Sequence, residues 1–314
     1  MRLLAAPRHG RRGHGYDAAG TASDEPNPRH RGADSRPGAS TPRQRGLFLS
    51  EHSIGVFDSG VGGLSVLRSL RLELPREDFI YVADGAHAPY GERDDQYLVE
   101  RARAITHHLL ARYQIKALVI ACNTATAAAI QRLRQENPGL PIVGVEPALK
   151  PAAAASATHR IGVMATRSTL ASAKYRALLT SLQGQAEFIN QACDGLAHAI
   201  EHHDTTKIVA LCAQYTSQMG QFGVEPGQID SLVLGCTHYA FANAELRALV
   251  GPAVRILDTG EPVAKRTRQV LASRLAQRAG PGRCQFETSG APTLLQTAIQ
   301  RWLQWPDPVG ALPV

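Results

Sequence analysis

Two cysteines of this chain stand in the same local setting. Ala117-Leu118-Val119-Ile120-Ala121-Cys122-Asn123-Thr124 parallels Ser231-Leu232-Val233-Leu234-Gly235-Cys236-Thr237-His238 at an offset of 114 residues. In each, an apolar run ends in a small residue, a cysteine and a polar pair. A thiol at a strand end, where the next helix begins, lies among unpaired backbone N–H groups whose partial positive charge favours thiolate. A lone cysteine of this kind reads most simply as a small buried hydrophobe. Two at equivalent points, each beside Asn or Thr donors, do not, because packing requires neither thiols nor polar neighbours. Two acid/base groups on opposite sides of one ligand suit inversion of a carbon centre: one removes a proton and the other returns one from the opposite face. An amino-acid α-proton is weakly acidic, so such a site must orient the substrate and stabilise the developing charge. It must also raise the thiolate fraction, since a free thiol with a pKa of about 8.5 is only a few per cent ionised at pH 7. Asp58, Glu201 and His238 are the available helpers. Asp58 also reads as a helix N-cap, and the two roles are compatible.

The elements that must position these residues are legible as a repeating rhythm. From Ile54 onward, short apolar runs end in small or polar residues and are followed by helical patterns, which predicts βα units of a parallel sheet. Residues 54–57, 79–82, 117–120 and 142–145 are expected as strands of one unit, and 160–164, 187–190, 231–234 and 254–257 as strands of a second. Apolar residues three and four apart predict helices over 63–74, 96–113 and 124–135. A second internal match, Ile54-Gly55-Val56-Phe57-Asp58-Ser59 with Ile161-Gly162-Val163-Met164-Ala165-Thr166 at an offset of 107, supports duplication of the whole unit. The expected fold is therefore α/β: two pseudo-symmetric open-sheet domains with mainly parallel strands and the active site in the cleft between them. In open parallel sheets ligands bind outside the carboxyl ends of the strands. Asp58, Cys122, Thr166 and Cys236 all fall there, so the two cysteines are expected to face one another.

Composition limits what else the chain can be. Its 314 residues, 44% hydrophobic and 19% charged, match a globular protein of about two domains. The net charge of +7 divides unevenly: residues 1–46 hold nine arginines against four acids, and the remainder is nearly neutral. Residues 1–50, rich in Arg, Pro, Gly, His and Ser and without apolar periodicity, are expected to form a disordered basic tail. The first domain is expected over 53–148 plus 256–305, the second over 149–255, and a flexible C-terminal tail over 306–314. Nucleic acid is not an expected partner of the folded part. No run approaches the roughly 18 to 20 apolar residues of a membrane span, and Met1 to Pro7 is too short for a secretory core, so a cytoplasmic protein is expected. Five cysteines at 122, 193, 212, 236 and 284, with no C-x-x-C pair, fit free thiols in a reducing compartment.

Four motifs carry a resemblance. Phe57-Asp58-Ser59-Gly60-Val61-Gly62-Gly63-Leu64-Ser65, Ala83-Asp84 with Pro89-Tyr90-Gly91, Ala121-Cys122-Asn123-Thr124-Ala125, and Gly235-Cys236-Thr237-His238-Tyr239 resemble the signatures of the glutamate racemases in order and spacing. The similarity covers about residues 53 to 300. It implies a cofactor-independent racemase that interconverts L- and D-glutamate and supplies D-glutamate for bacterial peptidoglycan, with no metal, glutamate as its partner and a homodimer left open. It implies that Cys122 and Cys236 are the catalytic acid/bases, tuned by Asp58, His238 and Glu201. It further implies that Asp58, Ser59, Pro89, Tyr90, Gly91, Asn123, Thr124, Thr166, Thr237 and His238 bind substrate. Neutral hydroxyl and amide donors suit the two carboxylates of glutamate without trapping a dianion too tightly.

The chain departs from the family pattern after Cys193, where Asp194-Gly195 stands in place of the usual proline, so the stretch leading to Glu201 matches loosely. Cys193, Cys212 and Cys284 match no acid/base position and are assigned to packing. His202 and His203 read as a polar helix end. The nearest rival is a racemase of aspartate, but the His238 and Asp58-Ser59-Gly60 motifs resemble the glutamate branch. A cysteine hydrolase using Cys236 and His238 leaves Cys122 idle, and a metal held by that pair lacks further ligands. A non-enzymatic binding protein could use the loop Gly60 to Gly63, which lacks the Lys-Ser/Thr ending of a P-loop.

Overall fold

The computed structural model describes residues 53–276 and 279–314. The expected tail over residues 1–50 lies outside them. The apolar runs form strands because helices cover both faces of each sheet, so neither face needs a polar side chain. In the first half the order is β1 (Ile54–Asp58), α1 (Leu64–Glu73), β2 (Phe79–Ala83), α2 (Asp95–Tyr113), β3 (Ala117–Ile120), α3 (Asn123–Glu136) and β4 (Ile142–Gly144). The second half continues with α4 (Leu149–Ala155), β5 (Arg160–Ala165), α5 (Arg167–Ala171), α6 (Ala173–Thr180), β6 (Glu187–Ala192), α7 (Leu196–Glu201), α8 (Thr205–Met219), β7 (Ser231–Leu234), α9 (Asn243–Val250) and β8 (Arg255–Leu257). The chain then returns through α10 (Gly260–Val270), β9 (Cys284–Thr288), α11 (Pro292–Trp302) and β10 (Val309–Ala311). Among the described residues no helix is long and apolar enough to cross a membrane.

Two parallel sheets result, ordered β10-β9-β2-β1-β3-β4 and β6-β5-β7-β8. The order β2-β1-β3-β4 repeats as β6-β5-β7-β8, and the register repeats with it. Ile54 pairs with Phe79 and Ala117, as Ile161 pairs with Phe188 and Ser231. Leu118 pairs with Ile142, as Leu232 pairs with Ile256. A one-residue slip would turn every side chain to the opposite face, so this agreement is strong evidence of duplication.

The alternation along β1 serves two cores. Ile54 and Val56 pack with Leu64, Leu67 and Leu70 of α1, Val263 of α10 and Leu295 of α11. Phe57 packs with Leu98, Ile105 and Leu109 of α2 and Ala129 and Leu133 of α3. These three apolar side chains of β1 are fully buried, which stabilises by about 1.5–3 kcal/mol each. Between them Gly55 admits the close approach of α2: a Cβ there would meet Ile115 Cδ1 at 2.9 Å and Leu109 Cδ1 at 3.0 Å. The second sheet is likewise sandwiched, by Leu196, Cys212, Tyr215 and Leu246 on one face and Leu149, Ala152 and Tyr175 on the other.

The first sheet is larger than the sequence indicated. Cys284–Thr288 forms β9 beside β2, and the expected flexible tail over 306–314 is corrected: Val309–Ala311 pairs with Phe286–Thr288 and Leu312 is buried. Prolines 306, 308 and 313 make this stretch read as a loop, yet the open edge of β9 offers unpaired backbone groups that recruit it. Strand β8 pairs with β7 and carries the second sheet to Leu257, past the boundary expected at 255.

Candidate active site

The carboxyl ends of β1, β3, β5 and β7 deliver Asp58, Cys122, Thr166 and Cys236 to one place. A cavity of about 290 Å³ opens there, with Ser59, Cys122, Asn123, Thr124, Thr166, Glu201, Cys236, Thr237 and His238 on its wall. That volume lies near the lower end of the roughly 300–1,000 Å³ of small-ligand pockets. Pro89, Tyr90 and Gly91 also line it, from a short 3-10 turn over Tyr90–Glu92 that precedes α2. Asp58 alone of the expected site residues is not on the wall. It is fully buried behind it.

The two sulfurs are held differently. Cys122 is the N-cap of α3, its Sγ accepting the Ala125 N–H at 3.4 Å. Its S–H donates to Ser59 Oγ at 3.8 Å, and the Ser59 hydroxyl in turn donates to Asp58 Oδ1 at 3.4 Å. Burial pushes the Cys122 thiol up, the Asp58 charge adds to this, and the Ala125 and Ser59 contacts only partly offset it. The Ala125 N–H does favour thiolate at Cys122, as a helix start should, but desolvation outweighs it. Cys236 opens a 3-10 turn over Thr237–Ala242, not an α-helix, and receives no N-cap bond. Its Sγ faces His238 Nδ1 at 3.8 Å instead.

His238 and Glu201 form a second buried chain. His238 Nε2 lies 2.7 Å from Glu201 Oε2, which also accepts the Val61 N–H at 2.9 Å. Burial disfavours a cation at His238, but its contacts with Cys236 and Glu201 outweigh burial and hold the imidazole well above its usual range. Burial pushes Glu201 up, yet the His238 hydrogen bond and charge hold it below the ordinary carboxylate value. Both contacts favour the protonated ring beside the Cys236 sulfur. The Gly-rich turn after β1 makes room: a Cβ on Gly60 would fall on the Glu201 carboxylate, and one on Gly62 on the His238 ring.

Asp58 is tied to both halves. Oδ1 accepts the Gly60 N–H at 2.8 Å and Oδ2 the Thr237 hydroxyl at 3.0 Å. Burial pushes its carboxyl up to about 6, against the opposing pull of the His238 charge and the Gly60 N–H. Its expected N-cap role is not seen, since α1 has no side-chain cap. Thr124 and Thr166 meet across the cleft at 3.2 Å. Both side-chain polar atoms of Asn123 are buried without a partner, which is costly unless a ligand supplies one.

Sequence reasoning missed several wall residues. Arg167, His198 and His202 border the cavity, Arg167 being paired with Asp194. His198 lies three residues before Glu201, on the same turn of α7, a spacing that could have flagged it. His202 is more than a polar helix end, whereas the His203 ring packs edge-on against Trp302 at 4.9 Å. Cys193 also touches the cavity, with its S–H on the Gln191 carbonyl at 3.4 Å and its thiol pushed up by burial. Cys212 is fully buried in the core, while Cys284 packs partly buried on β9.

Comparison with known proteins shows the family. The family model described as Asp/Glu/Hydantoin racemase matches residues 54–267. The chain belongs to the Asp/Glu/hydantoin racemase family. Glutamate racemases are among its relatives: that of Ectopseudomonas mendocina is 50% identical over 71% of this chain and 83% of its own length. The crystal structure of glutamate racemase isoform RacE1 from Bacillus anthracis superposes with a TM-score of 0.73 at 30% identity, covering 84% of this chain and 98% of that one. Escherichia coli glutamate racemase, in complex with L-glutamate and the activator UDP-MurNAc-ala, gives 0.70 at 29% identity, covering 83% and 98%. The enzyme class is an isomerase, glutamate racemase.

Proposed function

We propose that the chain interconverts L- and D-glutamate by two-base proton transfer between Cys122 and Cys236, without a cofactor. The observation that carries this reading is that, of the three thiols on the cavity wall, Cys122 and Cys236 are each backed by their own chain of acid/base groups. Cys122 is linked through Ser59 to Asp58, and Cys236 through His238 to Glu201. In one direction a thiolate takes the α-proton while the opposing thiol gives its proton to the other face, so the net proton count is unchanged. The reverse direction exchanges the two roles. His238, whose contacts favour its protonated form, supplies a counter-charge when negative charge develops at Cys236. Asn123, Thr124, Thr166, Thr237, Ser59 and the Pro89-Tyr90-Gly91 turn are the substrate-binding set, and the unpartnered amide of Asn123 is poised for a carboxylate.

The biological role that follows is supply of D-glutamate for peptidoglycan in the cytoplasm, hence cell-wall biogenesis and cell shape. The E. coli relative's complex with L-glutamate and UDP-MurNAc-ala supports both substrate and pathway. A homodimer is the assembly to test by sedimentation. The decisive assay follows optical rotation and α-deuterium incorporation for L- and D-glutamate in heavy water, without added cofactor, with aspartate run beside them. Interconversion with α-deuteration, lost by about 10³-fold in both Cys122→Ser and Cys236→Ser, is the expected outcome. Full activity in either variant would overturn the two-thiol reading, and turnover of aspartate alone would reassign the substrate.

A further inference from the structure

The carboxylate of Asp84, just after β2, is fully buried off the cavity wall and gathers hydrogen bonds from several side chains. Its Oδ1 accepts from Arg101 Nη2 at 2.8 Å and from Ser289 Oγ at 2.7 Å, and lies 3.0 Å from His87 Nδ1. Its Oδ2 accepts from Arg101 Nε at 2.9 Å and from the Tyr90 hydroxyl at 2.6 Å. Burial pushes this carboxyl up, but the bonds from Arg101, Tyr90 and Ser289 hold it below the ordinary value, so it stays an anion. Four separate pieces of chain meet there: the loop 85–92, α2 through Arg101, the turn after β9 through Ser289, and β2 itself.

Arg101 adds a fifth. Its Nη2 also donates to the Val314 main-chain oxygen at 3.3 Å. The segment behind that oxygen is anchored at two further points: the Leu312 N–H donates to the Thr288 carbonyl at 2.8 Å, and the Leu312 side chain packs in the cluster that holds Tyr90 and Leu98. The loop 85–92 contains only two short 3-10 turns, so its shape depends on these outside ties. A loop that is not held in advance must be ordered at the expense of substrate binding.

We propose that Arg101 is a positioning residue for glutamate binding, its guanidinium joining Asp84 and the 309–314 segment into a clamp that fixes the Tyr90-Gly91 turn against the cavity. This rests on the reading of Pro89-Tyr90-Gly91 as substrate-binding residues. The planar fork of arginine is what the geometry uses, since Nε and Nη2 engage both oxygens of one carboxylate. A lysine keeps the charge but not the second bond.

The test measures kcat and KM for both enantiomers in the full chain, in Arg101→Ala and in Arg101→Lys, with thermal unfolding as the fold control. Arg101→Ala is expected to raise KM about tenfold, with kcat changed much less, because a misplaced binding turn weakens binding without touching the thiols. Arg101→Lys should recover part of that loss. Millimolar guanidinium chloride should lower the KM of Arg101→Ala and leave the parent unaffected. A folded Arg101→Ala with the parent's KM overturns the proposal. So does a raised KM that neither lysine nor guanidinium improves, because that pattern belongs to a purely structural ion pair. If Arg101→Ala does not fold, Arg101→Lys decides: a KM raised about threefold supports the clamp, and an unchanged KM overturns it. Parent turnover that the two cysteine variants abolish keeps the site reading whatever Arg101 does, whereas a parent without turnover removes both.

Discussion

Asp58 is the residue at which burial and function pull against each other. In the folded chain its carboxyl is pushed from 3.8 up to about 6, with desolvation the largest cause. Above that pH it is a carboxylate able to accept from Ser59 and so draw on the Cys122 thiol; below it the relay is occupied by a proton. Activity should therefore fall as pH drops through about 6, and Asp58→Asn should lose that acid limb together with about 10²-fold in kcat, as a pH–rate profile would show. The same shift bears on stability. Because the folded value is raised above the unfolded one, the group's favourable contribution is complete below about 3.8 and is lost as pH rises through about 6. Asp58→Asn should thus flatten the dependence of unfolding free energy on pH across that window, measurable by urea titrations at pH 4 and pH 7. At the other sulfur, His238→Asn removes the imidazole ring and is expected to lower kcat with little change in KM. An unaltered kcat would deny the ring its proposed part.

At the scale of elements, Cys122 has a duty besides chemistry. It caps α3 through Ala125, and serine is a better cap than the side chains that lack an oxygen. Cys122→Ser should therefore keep or raise the melting temperature while losing activity, and Cys122→Ala should lose about 1 kcal/mol as well as activity. Calorimetry on the pair separates the two duties. The turn between β1 and α1 makes a different demand. Its glycines are required by neighbours, since a Cβ on Gly62 would occupy the position of the His238 ring. Gly62→Ala should displace that ring from Cys236 and cut kcat by about 10²-fold in a protein that still folds, which activity assays beside circular dichroism would establish.

At the scale of the molecule, ties between the two halves among the described residues include short polar contacts and an aromatic stack. Ser65 Oγ, on α1, donates to the Thr237 carbonyl at 3.1 Å, and Ser168 Oγ, on α5, donates to the Gly91 carbonyl at 2.6 Å. Trp302 of α11 lies flat on Phe241, with ring centroids 3.8 Å apart and planes 8° from parallel, and both rings pack on a core cluster from each half. Trp302→Ala is expected to cost about 2 kcal/mol, read as a lowered urea midpoint. An unchanged midpoint would show that the stack bears no load between the halves.

The sequence by itself determined the strands that feed the site, because continuous apolar runs ending in small polar residues are what a strand covered on both faces requires. It also revealed the duplication, and with it the pairing of Cys122 with Cys236, since strand order and register repeat wherever the motif repeats. It missed β9 and β10: Cys284–Thr288 is short and mixed, and a proline-flanked edge strand is defined by the neighbour it pairs with, not by its own pattern. Tertiary structure alone decided how the equivalent cysteines differ. Local sequence makes both look like thiols at helix starts, but one caps its helix, desolvated beside Asp58, and the other faces the His238 ring held by Glu201. Solvation and charge at a buried atom are set by groups distant in the chain, here Val61 and Glu201, 140 positions apart. No pattern along the chain encodes that distance.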